Sequence, residues 1–293
     1  MKKTLFILLQ HIAPQHLISR LAGRVAECDA PWFKNRFINW FIKRYRVNMS
    51  EAIHENAEDY PSFNAFFTRS LKPGIRPVDP DTHSITSPAD GAISQLGQIE
   101  HGRIFQAKGR SYGLTTLLGG CEERAALFTN GSFATIYLSP RDYHRVHMPF
   151  TGTLRESIYV PGDLYSVNQT TAEEVENLFA RNERLVAIFD TELGPMAMVM
   201  VGAMIVAGIE TVWQGAVAPL PRKPLVLDDF TGRKNPVSLE KGEEMGRFHL
   251  GSTVVLLFGA GAVNWHEQLT AGSPLQLGKA IAHCNQDDMR RSL

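Results

Sequence analysis

The chain has 293 residues, of which 44% are hydrophobic, so it can bury a full core, and intrinsic disorder is excluded as its dominant state. Thirty basic side chains are matched by 30 acidic ones, and a net charge of zero argues against a general nucleic-acid binder. Three widely spaced cysteines without a C-x-x-C pair argue against a disulfide framework or a zinc ribbon and favour a reducing compartment.

The first 48 residues are predicted to form short amphipathic helices. Apolar side chains recur at helical spacing over 5–12 and again over 17–25, and Pro14 separates the two stripes. A third segment over 31–46 begins at a proline and is also helical in pattern. The apolar run at the start is only five residues long, which is too short for a signal peptide.

The same segment is strongly basic. Residues 1–48 carry nine Lys or Arg and two acids, a net +7, which leaves −7 for the rest of the chain. The third segment, WFKNRFINWFIKRYR, interleaves bulky aromatic and basic side chains, a pattern that suits the interface of an anionic membrane. A helix pair docked on the protein's own core or on a second subunit is equally compatible, because an amphipathic pattern does not identify its partner.

Beyond a proline-rich linker at 71–83, the pattern changes to short apolar runs with many β-branched residues, which predicts strands, many of them antiparallel. Asn130-Gly131 predicts a hairpin, and 171–185 is the one convincing helix in this half. The longest uncharged run, Leu193–Ile209, has 17 residues and is better explained by buried strands than by a membrane span. The expected class is therefore α+β with a strand-rich core.

Common catalytic motifs are absent or incomplete. GAGAVN at 259–264 lacks the third glycine of a dinucleotide fingerprint, and GSPLQLGKA at 272–280 departs from the P-loop in spacing and in its last residue. The chain contains neither G-x-S-x-G nor H-E-x-x-H.

Three segments carry candidate chemistry: SPADGAI (87–93) with Asp90, LSPRDYHRVHMP (138–149) with His144 and His147, and KGEEMGRFHLGSTVVLLF (241–258) with Ser252. Each segment in isolation is explained by turn chemistry or by entry into a strand. The two histidines suggest a metal pair, but no third ligand lies at a usual offset.

Taken together, Asp90, His147 and Ser252 supply an acid, a base and a nucleophile. The order of these residues along the chain decides nothing, because triads occur in several orders. The residues alone therefore lead to a generic serine hydrolase.

The chain resembles the bacterial phosphatidylserine decarboxylases, the membrane-associated family that depends on a pyruvoyl group. The resemblance covers nearly the whole chain. It rests on FFTRSLKPGIRPVD (66–79), SPADGAI (87–93), YGLTTLLGG (112–120), LSPRDYHRVHMP (138–149), GDLYSVN (162–168), LFARNERLV (178–186), VGAMIVAGIETVW (201–213) and KGEEMGRFHLGSTV (241–254).

This resemblance implies a proenzyme that cleaves itself between Gly251 and Ser252, with Asp90, His147 and Ser252 as the self-cleavage triad. The products are a large chain, 1–251, and a small chain, 252–293. Ser252 becomes a covalent pyruvoyl group, the only cofactor expected, and no metal is expected. That group forms a Schiff base with phosphatidylserine, which is decarboxylated to phosphatidylethanolamine. We expect His144 to donate the proton in that second reaction.

The resemblance also implies the architecture and the surroundings of the enzyme. We expect antiparallel sheets of the barrel-sandwich kind in a catalytic domain over 61–293, preceded by a membrane-association region over 1–60. A lipid substrate favours binding of residues 1–48 to an anionic bilayer over internal docking. The expected location is peripheral, on the cytoplasmic face of the inner membrane, and the expected assembly is a homodimer of the two-chain unit.

Two other readings of the residues are a self-processing serine peptidase or esterase that retains Ser252 and a non-catalytic membrane-binding module. A third is a pyruvoyl decarboxylase that acts on a soluble amino acid, for which the amphipathic start would serve no purpose.

Overall fold

The computed structural model describes residues 2–204, 208–218, 225–249 and 252–285, and for residues 2–5 and 252 it describes the backbone only. The chain begins with three helices, α1 (Lys2–Ile12), α2 (Gln15–Ala26) and α3 (Pro31–Tyr45). They confirm the predicted helical segments and the break at Pro14. In the described part of the chain, no helix is long and apolar enough to cross a membrane.

Helix α3 packs on the short helix α4 (Phe63–Phe67) through an aromatic cluster. Ile38 and Phe41 of α3 are buried there with Phe63, Phe66 and Phe67 of α4. Aromatic rings contribute large buried areas, so this cluster fixes α3 firmly to the body of the protein. The cluster contains residues from both sides of the predicted boundary between the regions 1–60 and 61–293.

The body is organised around a nine-stranded antiparallel sheet. Its strands, in spatial order, are β12 (Val226–Asp229), β7 (Gly152–Val160), β8 (Arg184–Thr191), β9 (Gly194–Val201), β15 (Ser252–Phe258), β5 (Ser132–Leu138), β2 (Gly91–Gln98) and β17 (Pro274–Leu275), and β13 (Ser238–Leu239) pairs with β7 beside β12. The described strands form an open path and not a closed barrel. Strand β9 confirms that the uncharged run after Leu193 enters a buried strand, although residues 205–207 of that run lie outside the described residues.

Both faces of the large sheet are buried, because alternate side chains of a strand point to opposite faces. In β15, Val254 and Leu256 belong to one core, whereas Val255 and Leu257 belong to a second core. This explains why the sequence of β15 is continuously apolar instead of alternating.

Two small sheets cover the first core, and a hairpin with four short helices covers the second. The small sheets are β1 (Ser84–Thr86), β18 (Ala280–Cys284) and β16 (Val263–Trp265), and β11 (Gly215–Ala218), β10 (Gly208–Thr211), β14 (Glu244–His249) and β6 (Arg145–His147). The hairpin is β3 (Arg103–Ala107) and β4 (Arg110–Gly113), and the helices are α5 (Leu114–Leu117), α6 (Glu122–Ala126), α7 (Gln169–Glu174) and α8 (Leu178–Arg181). The predicted α+β class with mainly antiparallel sheets and N-terminal helices is confirmed.

Two local predictions are wrong. Asn130-Gly131 does not close a hairpin, because the segment before it is helix α6; the turn instead links α6 to β5, with Asn130 in the left-handed region at φ 57°. The single helix predicted over 171–185 is divided into α7 and α8.

The division between α7 and α8 has a tertiary cause. The buried amide of Gln106 donates to the carbonyls of Ala172 and Val175 and accepts from the backbone N–H of Leu178. These bonds satisfy backbone groups that the helix would otherwise satisfy itself. A side chain 66 or more residues away therefore stabilises the break.

Candidate active site

The candidate site lies where three strands of the large sheet end or begin. Ser252 at the start of β15 pairs with Leu138 at the end of β5, and Ala92 near the start of β2 pairs with Tyr137. Ser252 and Gly91 therefore flank Leu138 from either side, roughly 10 Å apart from the usual strand spacing. A Cβ on Gly91 would lie 2.3 Å from the carbonyl oxygen of Tyr137, so only glycine allows this approach of the two strands.

The segment after β5 brings His144 and His147 to the same end of the sheet. The N–H of His147 donates to the carbonyl of Pro88 at 2.8 Å, two residues before Asp90. The N–H of Phe248 donates to the carbonyl of His144 at 3.0 Å, four residues before Ser252. Asp90, His144, His147 and the backbone of Ser252 thus converge at one end of the sheet, whereas Gly251 lies outside the described residues.

His147 is held as a neutral base. Its Nδ1 lies 2.8 Å from the carbonyl oxygen of Gly242, which can only accept, so in the neutral ring Nδ1 carries the proton. Its Nε2 lies 3.1 Å from the Tyr143 hydroxyl, which donates to it. Burial lowers the pKa of His147, and the Gly242 carbonyl and the charges of Glu244 and Asp90 partly oppose this effect. Nε2 is therefore unprotonated at neutral pH, and its lone pair accepts from Tyr143.

Asp90 is 8% exposed, and its carboxylate is bound by a cation. The Arg76 guanidinium donates to both carboxylate oxygens from Nε and Nη2, and the backbone N–H of Leu277 donates to Oδ1 at 2.8 Å. Arg76 also pairs with Glu51 at 2.7 Å. Within the described residues Asp90 makes no hydrogen bond to His147, and it acts on that ring through its charge.

His144 is completely buried. Its Nδ1–H donates to the carbonyl of Asp142 at 2.8 Å, and its ring lies 4.0 Å from that of Phe67 between centroids. Its Nε2 is buried without a hydrogen-bond partner in the described part of the structure. Burial, reinforced by the positive charge of Arg69, lowers the pKa of His144 to about 3, so the ring is neutral at physiological pH.

Comparison with known proteins decides the family. Residues 63–283 match the family model described as phosphatidylserine decarboxylase, and residues 5–46 match a second model described as PSD. The chain is 60% identical over 285 residues to the phosphatidylserine decarboxylase proenzyme of Pseudomonas fluorescens strain Pf0-1, covering 97% of this chain and 100% of the relative. It is 62% identical over 282 residues to the proenzyme of Pseudomonas entomophila strain L48, covering 96% of this chain and 98% of that relative.

The chain belongs to the phosphatidylserine decarboxylase family. Three residues that contact the candidate site were not predicted from the sequence: Arg76, Tyr143 and Gly242. All three lie inside segments that carry the family resemblance, which was the available signal. Arg76 and Gly242 act through contacts between separate segments, which no spacing along the chain reports, whereas Tyr143 contacts His147 four residues along the same segment.

A metal ion would need a set of ligands among the described residues of the site. Among the described residues, no group of three or more His, Cys, Asp or Glu side chains is arranged to hold one. The functional groups that the structure describes at this site are a buried carboxylate, two neutral imidazoles and a tyrosine hydroxyl.

Proposed function

We propose that this chain is a phosphatidylserine decarboxylase proenzyme that cleaves itself between Gly251 and Ser252 and converts Ser252 into a pyruvoyl group. The mature carboxy-lyase then converts phosphatidylserine to phosphatidylethanolamine. The observation that carries this proposal is the convergence of Asp90, neutral His147 and the backbone of Ser252 at one end of the sheet, in a chain that belongs to this family.

In the first reaction, Nε2 of His147 takes the proton of the Ser252 hydroxyl, whose oxygen attacks the carbonyl of Gly251. An ester replaces the peptide bond. The negative charge of Asp90 stabilises the imidazolium that forms on His147. Loss of the Cα proton of Ser252 then expels the carboxylate of Gly251 and leaves dehydroalanine, whose imine tautomer is hydrolysed to the pyruvoyl group and ammonia.

The described residues fit a group formed at Ser252, because a neutral base and an unpartnered imidazole nitrogen, Nε2 of His144, lie in the segments that contact this position. The pyruvoyl carbonyl supplies an electrophile that takes up the substrate amine and the electron pair left when carbon dioxide departs. We assign to Nε2 of His144 the delivery of a proton to carbon after carbon dioxide has left.

The position of the cut explains how two chains can act as one enzyme. The small chain, 252–293, contains β15, which is hydrogen-bonded to β5 on one side and to β9 on the other. It also contains β17 and β18, which pair with β2 and β1 of the large chain, 1–251. Strands of the small chain are therefore hydrogen-bonded to strands of the large chain in two sheets.

Residues 1–48 are the proposed membrane-binding surface, and a region over 1–60 is the proposed unit of membrane association. The exposed large apolar side chains of the helices are Phe6, Leu8, Leu9, Ile12, Leu17, Leu21, Val25, Trp32 and Trp40. Exposed apolar residues beside basic ones favour an anionic bilayer, which also holds the phosphatidylserine substrate. We place the enzyme peripherally on the cytoplasmic face of the inner membrane, as a homodimer of the two-chain unit.

Mass spectrometry of the purified protein tests the proposal. We expect a fragment that begins at residue 252 and is lighter than a seryl N-terminus requires, and borohydride should trap an amine adduct on it. Ser252→Ala, His147→Ala and Asp90→Asn should remain uncleaved, whereas His144→Ala should be cleaved but should decarboxylate more slowly. A fragment that retains serine would instead indicate a peptidase or esterase. An intact chain without lipid turnover would indicate a non-catalytic membrane-binding module.

A further inference from the structure

A cavity of about 240 Å³ adjoins the candidate site. Asp90 and Tyr143 line it, so it is continuous with the groups that contact His147. Its wall also contains four arginines, contributed by the end of α3, the segments after α4 and the loop before His144: Arg46, Arg69, Arg76 and Arg141. We call this space the arginine cavity.

Arg69 is a buried cation with unused donors. It is 4% exposed, and its Nη2 donates to the carbonyls of Arg141 and Asp142 at 3.1 and 3.3 Å. Its Nε and Nη1 are buried with no hydrogen-bond partner among the described residues. A buried guanidinium with unsatisfied donors is costly, and an anion beside it would offset that cost.

Two further cations at the cavity are available to a ligand. Within the described residues Arg46 is exposed and forms no ion pair. The Arg141 side chain is 68% exposed, and its only ion-pair contact in the same part of the chain is a long one, 3.7 Å to Asp142. Arg76, by contrast, is fully engaged by Asp90 and Glu51.

The acidic groups of the cavity are already occupied. Asp90 and Glu51 share Arg76, and the Asp142 carboxylate accepts from the N–H and hydroxyl of Ser139 at 2.7 Å each. The four arginines of the lining outnumber its three acids, Glu51, Asp90 and Asp142, by one. Arg46, Arg69 and Arg141 retain donors that can bind an oxyanion, which guanidinium groups hold in bidentate geometry.

Phosphatidylserine carries two such groups, a phosphodiester and a carboxylate. Decarboxylation removes the charge of the carboxylate, so arginines paired to it would stabilise the ground state and slow the reaction. The phosphodiester keeps its charge throughout. We infer that the arginine cavity binds the phosphodiester of the lipid headgroup, with Arg46 and Arg141 as specificity-determining residues and Arg69 as the buried charge beneath them. This inference rests on the proposed function.

Binding to soluble probes tests the assignment. The uncleaved full chain carrying Ser252→Ala is titrated calorimetrically with glycerophosphoethanolamine, which has the phosphodiester but no carboxylate, and with N-acetylserine, which has the reverse. We expect binding of the first probe only, weakened by about tenfold or more in Arg46→Gln and in Arg141→Gln. Arg155→Gln is the matched control, because Arg155 pairs with Asp190 away from the cavity. Binding of N-acetylserine alone, or binding that is unaffected by both substitutions, would overturn the inference.

Kinetics of the mature enzyme separate this inference from the proposed function. In uncharged detergent micelles, Arg46→Gln and Arg141→Gln should raise KM by about tenfold and leave kcat and self-cleavage within about twofold of wild type. Unchanged KM with normal wild-type turnover would sink only the arginine assignment. Absence of cleavage and turnover in the wild type would sink the proposed function itself.

Discussion

Arg76 holds both carboxylate oxygens of Asp90, with its Nη2 2.6 Å from Oδ2 and its Nε 2.9 Å from Oδ1. Arg76 comes from the proline-rich linker and Asp90 from the start of β2, so this pair fastens the linker to the site. The adjacent opposite charge compensates the loss of hydration that burial imposes on the Asp90 side chain.

Substitution Arg76→Ala should slow self-cleavage strongly, by about a hundredfold, since it leaves a buried carboxylate without its partner. Arg76→Lys, which retains charge without the two-pronged geometry, should lie between Ala and wild type. The rate of fragment formation in freshly purified proenzyme measures the effect, with Arg155→Ala as an exposed ion-pair control. Wild-type cleavage in Arg76→Ala would show that self-cleavage does not depend on this ion pair.

Tyr143→Phe should shift the pH dependence of self-cleavage towards higher pH. The tyrosine hydroxyl donates to Nε2 of His147, a bond that only the neutral ring can accept, so it lowers the pKa of His147. Without this bond the pKa of His147 rises, and the acid limb of the cleavage rate should move to higher pH. Rates measured from pH 4 to pH 8 for both proteins test this. A limb that stays in place, or that moves to lower pH, contradicts the assigned direction of the bond.

His144 should make the folded state sensitive to acid. The pKa of His144 is about 3 in the folded state, compared with an ordinary value of 6.5. Below pH 6.5 the unfolded chain therefore binds a proton at this residue, whereas the folded chain does not. The free energy of unfolding should therefore fall by about 1 kcal/mol per pH unit between pH 6 and pH 4 from this group, and not at all above pH 7.

Denaturant unfolding of the uncleaved Ser252→Ala chain measures this slope. Adding His144→Gln should make the slope shallower by about that amount, whereas adding His54→Gln, at an exposed histidine, serves as the control. Equal slopes with and without His144 would mean that the ring is not buried as a neutral group.

The two chains formed by cleavage should remain associated. The small chain provides β15 at the centre of the large sheet, and its removal would expose the backbone and both apolar faces of β5 and β9. Native size-exclusion chromatography of cleaved protein should give one species that contains both fragments, and only denaturant should separate them. Elution of a free small chain under native conditions would contradict the predicted interlock.

Trp32 and Trp40 should contribute to membrane binding. They are 73% and 52% exposed, on the helix whose other face is buried against α4. Replacing both by serine should weaken binding to anionic liposomes by about tenfold or more and leave self-cleavage unchanged. Trp213→Ser, between β10 and β11, is the control for loss of a tryptophan. Unchanged liposome binding would assign the interaction to another surface.

The two tryptophan substitutions test membrane binding more specifically than a deletion of residues 1–48 would. Phe41 of α3 packs against Phe67, whose ring contacts His144, so the helical segment supports the site directly. Arg46 also lines the arginine cavity. Removal of the segment would therefore change stability, site and membrane binding together.

The sequence by itself determined those features that local pattern encodes. Helical spacing and Pro14 located the first helices, and the continuous apolar run located β15. The family resemblance singled out Asp90, His144, His147 and Ser252 as the candidate reactive residues. Such features depend on neighbours within a few residues, and periodicity reports those neighbours directly.

Only the tertiary structure decided the partners of those residues. Arg76 and Gly242 reach the site from separate segments, and Gln106 divides a segment that looks helical by satisfying its backbone. Hydrogen bonds and ion pairs of this kind join positions that are distant in the chain, and their strength depends on burial and geometry that arise only when the sheets pack. The sequence therefore identified the candidate residues of the site, and long-range packing decided which groups bind them and set their electrostatic environment.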